Sequence, residues 1–483
     1  MRGFLTAHVL AAILAAGPSF ASELGNADQG APVFRQCSAC HQNGEGAENR
    51  VGPHLNGIFG RDAGSVDDFG YSASMARVAS DGLIWMQATL DAYIENPKAL
   101  VSKTRMNFSG VKDTQERADL LAYLRSFSSQ INVTLVEPSR MYSTCFFSNL
   151  YLGGVKEIDD LGHSYGAIAA EGINVIHDRA VDVDSAAKTV SRASSSTLPY
   201  DKLVLASRID FVDRAVEGWD ISAQNAMPHA YKGGSQTELL KSQLVNMREG
   251  GTFAMVTPPN PYRCPPGPYE RVSMVAHYLK ANNPTAKIVV ADPKDTFSKQ
   301  GLFQEGWLRH HPGMIDWIKS DFGGGSVSVD PVGMTITIDG EETAMDVCNV
   351  IPAMMAGHIT EVAGVTDGNW GPVNAADVSS KANTDIPVLG DSADLADMSK
   401  SGYAAKSQAK VCANAVRGAL TGLKVFPAKF SITCWSLIEA TAEKISKVDG
   451  FISQTGESTE MRRATYEESE GWYKGITSDM FGA

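Results

Sequence analysis

Five consecutive residues, Cys37-Ser38-Ala39-Cys40-His41, constrain this chain more than any other feature of its sequence. Two thiols at this spacing can each add to a vinyl group of haem, and the histidine that follows is then placed under the iron as an axial ligand. The motif predicts one covalent haem c, anchored by Cys37 and Cys40 and ligated by His41. A zinc ribbon would need a second cysteine pair at zinc spacing, and none follows. A methionine as sixth ligand would raise the potential of the iron. Met75, Met86 and Met106 are available. Met106 lies in a polar loop, residues 101–108, and can turn toward a metal, whereas Met86 sits in a helical pattern and reads as core filling.

The N-terminus carries Arg2, an apolar stretch over residues 9–16, and then Gly17-Pro18-Ser19-Phe20-Ala21. This reads as a cleavable export signal, cut after Ala21. The apolar run is too short to span a bilayer, and no later segment reaches roughly 18 apolar residues. A periplasmic protein without a membrane span is expected, in a compartment where disulfides persist. The net charge of −13 is spread along the chain, which argues against nucleic acid or an anionic membrane as partner. Seven cysteines in 483 residues are too few for a disulfide scaffold, so each needs its own explanation.

Residues 22–128 read as short helical runs joined by Gly- and Asn-rich loops, without β-alternation. They close with residues 113–127, where Leu120, Leu121, Leu124 and Phe127 share one helix face. The texture then changes. Strands are expected at 131–136, 173–177, 202–206, 252–256, 287–291 and 386–389, with a hairpin arm at 334–338. Helical runs at 236–248 and 270–280 lie between them. Strands alternating with helices predict a largely parallel sheet.

Four features of this second part bear on chemistry. Residues 131–136 end in Glu137, and an acid closing the second strand of a dinucleotide-binding fold bonds the adenosine ribose; a solvated Glu is the bland alternative. Residues 386–389 run into Gly390-Asp391, which in flavoproteins faces the ribityl chain and otherwise marks a turn. Cys264 sits in Arg263-Cys264-Pro265-Pro266-Gly267-Pro268, before a helix and near Arg263 and Arg271. That setting predicts an acidified, redox-active thiol. Cys145, in Thr144-Cys145-Phe146-Phe147, has no role from composition alone.

Two resemblances follow. Residues 24–128 resemble a class I cytochrome c, through residues 52–61 (Gly-Pro-His-Leu-Asn-Gly-Ile-Phe-Gly-Arg), Tyr71-Ser72, Trp85, residues 89–93, Asn96-Pro97 and the Met106 loop. The resemblance implies Met106 as distal iron ligand, a Pro53 carbonyl that orients His41, and Arg61, Tyr71 and Trp85 around the haem propionates. Residues 131–483 resemble the flavoprotein subunit of flavocytochrome c sulfide dehydrogenase, a relative of the disulfide reductases. The matching pieces are the Cys145 segment with Gly153-Gly154, residues 264–271, Phe297-Ser298-Lys299-Gln300, Gly390-Asp391, residues 400–403 and Thr433-Cys434. This implies an FAD linked through a thioether at Cys145, a redox disulfide of Cys264 and Cys434, and Glu270 as a nearby base. It also implies sulfide as substrate and a soluble cytochrome as electron acceptor. Cys348 and Cys412 match no family role and read as small core residues.

The expected architecture is an all-α cytochrome c domain (22–128) followed by α/β, disulfide-reductase-like FAD/NAD(P)-binding domains. The FAD-binding-like part would comprise 130–220 and 350–423, the second nucleotide-binding-like domain 221–349, and a C-terminal domain 424–483. One piece is missing. A Gly-x-Gly-x-x-Gly turn lets a backbone approach the FAD pyrophosphate, and none occurs in a strand–turn–helix frame. The first βα unit of the FAD domain is absent, and the cytochrome helix runs straight into what reads as the second strand. Two functions stay open at this point: a sulfide-oxidising flavocytochrome, or a non-enzymatic c-type electron carrier joined to a flavoprotein remnant.

Overall fold

Asp113 starts the helix Thr114–Arg125, its carboxylate accepting the backbone N–H of Glu116 while Glu116 places negative charge in the first turn. Leu120, Leu121 and Leu124 then fall on one buried face. The helix also packs, through Asp119 and Tyr123, against the helix Ala27–Phe34. The approach is close enough that a Cβ on Gly30 would lie 1.9 Å from the carbonyl oxygen of Asp119. Shorter helices, Ala73–Ser80, Gln87–Glu95 and Pro97–Leu100, close around a core that includes Phe34, Leu55, Met75, Trp85 and Leu90. Among the described residues this part of the chain has no strand, only a single antiparallel bridge between Asp62 and Ile84.

The computed structural model describes residues 25–81, 83–127, 131–439, 445–453, 456–464, 471 and 473–476, the side chains of 445–453 and 456–464 excepted. The export signal expected at residues 1–21 lies outside the described residues. The chain forms two units, Met1–Ile131 and Asn132–Ala483.

The second unit is built on a four-stranded parallel sheet in the order Ile315–Ile318, Lys287–Ala291, Thr252–Val256, Val347–Val350. Its central strands are almost continuously apolar and buried, as a sheet covered on both faces requires. The helical runs expected at 236–248 and 270–280 are the helices Ser235–Val245 and Gly267–Asn282, and the second buries ten of its sixteen residues. Residues Thr335–Ile338 are the middle arm of an antiparallel hairpin system, as expected.

Three strand expectations need correction. The run at 131–136 contributes only Thr134–Val136, paired in parallel with Asn174–Ile176 as a two-stranded sheet. Residues 202–206 and 386–389 form no ladder. They meet in one parallel bridge between Leu205 and Val388, with Leu205 N–H bonded to the carbonyl of Pro387. Pro387 has no N–H to give, so the run cannot extend as a central strand. Cys348 and Cys412 are 0 % and 2 % exposed, small core residues as expected.

Candidate haem and dithiol sites

In the first unit, Nδ1 of His41 lies 2.7 Å from the carbonyl oxygen of Pro53. With its proton on Nδ1 the ring donates there and leaves Nε2 bare, the arrangement a metal-ligating histidine needs. Burial lowers the His41 pKa, the bond to Pro53 opposes this and Arg61 adds to the lowering, so the neutral imidazole is favoured relative to a free histidine. Gly52 makes the approach possible, since a Cβ there would sit 2.3 Å from Cε1 of His41. Arg61 is buried and donates to the carbonyls of Asn56 (2.9 Å) and His54 (3.1 Å), which ties down the loop below the ring. Trp85 is buried against Tyr93, and the Tyr71 hydroxyl accepts the N–H of Val66. Met75 is buried in the core, and Met106 is half-buried in its loop, its N–H bonded to the Thr104 hydroxyl. Met86 does not fill the core. It caps the helix Gln87–Glu95 and is 45 % exposed, because the chain turns at Trp85 before the helix begins. A neutral, oriented His41 beside two thiols fits a c-type haem.

The second unit gathers residues that are far apart in sequence. Cys145 precedes the short helix Ser148–Leu152, whose Ser148 hydroxyl bonds the Cys145 carbonyl at 2.5 Å. Burial alone would raise the Cys145 pKa, but the guanidinium groups of Arg263 and Arg208 more than offset it and the thiol is lowered. Arg263 lies 3.6 Å from Asp391. Burial raises the Asp391 carboxyl despite Arg263, Lys400 and Arg208. Lys400 is itself lowered to about 8 by burial, and its Nζ bonds the carbonyl of Ala393 at 2.5 Å. Asp391 Oδ1 and Arg263 Nη2 are buried without hydrogen-bond partners among the described residues. Orphaned groups of both signs around a reactive thiol fit a polar ring system such as a flavin.

Glu137 follows its strand and bonds the N–H of Ser139 at 2.9 Å. The Tyr165 hydroxyl is raised by burial and by the neighbouring Glu137, and Arg208 and Tyr142 also act on it. Arg208 in turn stacks 4.2 Å over the Tyr142 ring. Gly390 takes a φ of 73°, and its N–H bonds Gln408 at 2.7 Å. No glycine-rich loop is available to the phosphate end of FAD.

Beside this cluster lies the thiol pair. Cys264 has a φ of 54°, its N–H bonds the carbonyl of Lys400 (2.7 Å), and its own carbonyl accepts the Tyr231 hydroxyl (3.0 Å) and the Gly267 N–H (2.7 Å). Gly267 is needed here, because a Cβ would lie 2.5 Å from the Tyr231 hydroxyl. Cys434 comes from the strand Phe430–Leu437, and its charge acts on Cys264. Glu270, one turn into the helix Gly267–Asn282, accepts Leu437 N–H and Asn149 Nδ2, both at 2.8 Å. Burial raises its carboxyl, so it holds a proton at higher pH than an ordinary Glu, which suits proton transfer.

The expected acidification of Cys264 is overturned. Burial pushes this thiol well above its ordinary value, Cys434 and Glu270 push the same way, and Arg263 and Lys299 do not compensate. The acidified thiol is Cys145, to which Arg263 turns instead. The sequence assigns no role to Arg208, Tyr231, Asn149 or Lys299, although the run holding Lys299 is one of the matching pieces.

Known proteins divide along the same lines. The model of the sulfide dehydrogenase (flavocytochrome c) flavoprotein chain, central part, matches residues 237–352. The flavocytochrome c sulphide dehydrogenase flavin-binding model matches 439–481, mostly outside the described side chains. Cytochrome c2 of Afifella marina is 48% identical over 100 residues, 21% of this chain and 81% of that protein. Cytochrome c2 of Rhodomicrobium vannielii is 42% identical over 130 residues, 27% of this chain and all of that one. The solved sulfide:quinone oxidoreductase of Aquifex aeolicus superposes with a TM-score of 0.53 at 16% identity, over 68% of this chain and 81% of that one, a likeness of fold. The chain therefore belongs to the cytochrome c2 family through its N-terminal part, and its later part matches two models of the flavocytochrome c sulfide dehydrogenase flavoprotein chain.

Proposed function

We propose that the chain is a single-chain flavocytochrome c sulfide dehydrogenase: it oxidises sulfide at Cys264 and Cys434 and delivers the electrons through a c-type haem to a soluble cytochrome. One observation carries this reading. Two cysteines 170 positions apart are brought beside the buried carboxyl of Glu270, in a chain that also holds Cys37-Ser38-Ala39-Cys40-His41.

With the pair oxidised to a disulfide, a hydrosulfide ion attacks one sulfur. The S–S bond breaks, one cysteine becomes a persulfide and the other leaves as thiolate, so the two electrons lost by sulfide are held by the pair. Glu270 would take or return a proton there. FAD would be held by Cys145, Asp391, Gly390 and Glu137, and when bound it supplies an acceptor of electron pairs that can release them singly. Haem would be held by Cys37, Cys40, His41 and Met106, with Arg61, Tyr71 and Trp85 about it, and supplies a one-electron centre. The domain limits set out from the sequence, the disulfide of Cys264 with Cys434, and export to the periplasm belong to this proposal. No helix among the described residues is long and apolar enough to cross a membrane.

Sulfide added anaerobically to haem-loaded, flavin-supplied protein is expected to reduce the haem, read from its visible bands. Haem bands that stay oxidised overturn the reading.

A second reading is a non-enzymatic carrier with a flavoprotein remnant. Its support is that the sequence holds no Gly-x-Gly-x-x-Gly and that Thr134–Val136 pairs only with Asn174–Ile176 among the described residues. Acid precipitation separates the two readings, because a thioether-linked flavin stays in the pellet and a remnant carries none.

A further inference from the structure

Lys299 is 8 % exposed and takes a φ of 64°, unusual for a lysine, just before the helix Gln300–His310. Its Nζ donates to the Ser436 hydroxyl (2.7 Å) and the Cys434 carbonyl (3.1 Å), and stands 3.7 Å from the Cys434 sulfur. None of these is a carboxylate. Its charge is felt at Cys264 and Glu270, but no carboxylate is ion-paired with it among the described residues. A buried ammonium without an anion is costly, and such groups are found where a negative charge is held or forms. The strained backbone and both hydrogen bonds aim this ammonium at one sulfur.

We propose that Lys299 is a positioning residue for Cys434: its ammonium, 3.7 Å from that sulfur, holds the negative charge that the pair carries once it is reduced. The surroundings of Cys264 act in the same sense, since burial and the charges of Cys434 and Glu270 all disfavour an anion there. The proposal rests on the functional reading only in treating the two cysteines as one pair.

The test reads thiolate chemistry and needs no sulfide. Full-length protein is reduced, pulsed with iodoacetamide across a pH series, and the Cys434 and Cys264 peptides are quantified by mass spectrometry. The thiolate is the reacting form. Cys434 should react faster than Cys264 at neutral pH. Lys299→Met should slow Cys434 by about tenfold, the effect of one close opposite charge, and Lys299→Arg should restore most of the rate. Ser436→Ala frees Nζ while keeping the charge and should slow Cys434 by a smaller factor. Faster reaction at Cys264 in the unaltered protein, or a Lys299→Met rate equal to that of the unaltered protein, overturns the proposal. Should Lys299→Met not fold, an unchanged Ser436→Ala rate overturns it. Sulfide-driven haem reduction can fail while this pattern holds, so the two readings fall separately.

Discussion

Glu270 accepts the backbone N–H of Leu437 across 2.8 Å, and so binds the strand of Cys434 to the helix that follows Cys264. Its other oxygen takes Asn149 Nδ2, and Asn149 Oδ1 accepts Nε of the buried Arg271 at 3.1 Å. Glu270→Ala leaves the buried N–H of Leu437 unpaired, while Asn149 Nδ2 keeps its bond to the Gly267 carbonyl. About 2 kcal/mol of the second unit's unfolding free energy should be lost, at roughly 1–3 kcal/mol for an unsatisfied group. Urea unfolding followed by tryptophan fluorescence checks this. An unchanged midpoint would remove Glu270 as the tie between helix and strand.

Gly52 is expected to be irreplaceable for haem capture. A Cβ 2.3 Å from His41 Cε1 must displace the ring, and with it the bond to Pro53. Gly52→Ala should yield protein with most of its haem missing, measured as pyridine haemochrome per polypeptide. Full haem content would show that the ring has another stable position.

Arg263 is expected to set the reactivity of Cys145. Without its guanidinium, burial dominates and the Cys145 thiol rises, while Asp391 loses its nearest cation. Arg263→Gln should lower flavin retained in acid-precipitated protein by about tenfold or more, with one pKa unit of thiol shift being tenfold in thiolate. Cys145→Ser should abolish it. Equal pellet flavin in Arg263→Gln would separate Arg263 from the attachment chemistry.

Acid should weaken the second unit through buried histidines. Burial lowers His311 to about 4 and His229 to about 3, against an ordinary value of 6.5. A depressed folded-state value means the unfolded chain binds the proton first. The stability contributed by the neutral rings is therefore complete above pH 6.5 and drains away as the pH falls toward those values. The melting temperature should fall over that window, and His311→Gln should flatten the slope while His229 keeps part of it. A flat melting temperature in the native chain would mean that His311 is solvated on the acid side.

Much of the first unit could be read along the chain. The Cys37–His41 motif, the helix after Asp113 and the face of Leu120, Leu121 and Leu124 depend on spacing within a few residues, and the structure carries each of them. The same holds for the strands Thr252–Val256 and Lys287–Ala291, whose apolar runs are long and bounded. Local pattern failed at 202–206 and 386–389, where Pro387 and a single cross-chain bridge decide the outcome.

By itself, then, the sequence determined the haem-binding motif, the helical and strand texture, and the presence of seven cysteines without a scaffold. Only the tertiary structure decided what each thiol can do. Cys264 has two arginines close in sequence and reads as acidic, but it is buried next to Cys434 and Glu270 and its value goes up. Cys145 is lowered by Arg263 and Arg208, which lie 118 and 63 positions away in sequence and reach it through space. Charge acts through distance and burial rather than through sequence position, so Lys299 could be seen in its run of residues but not as the neighbour of the Cys434 sulfur.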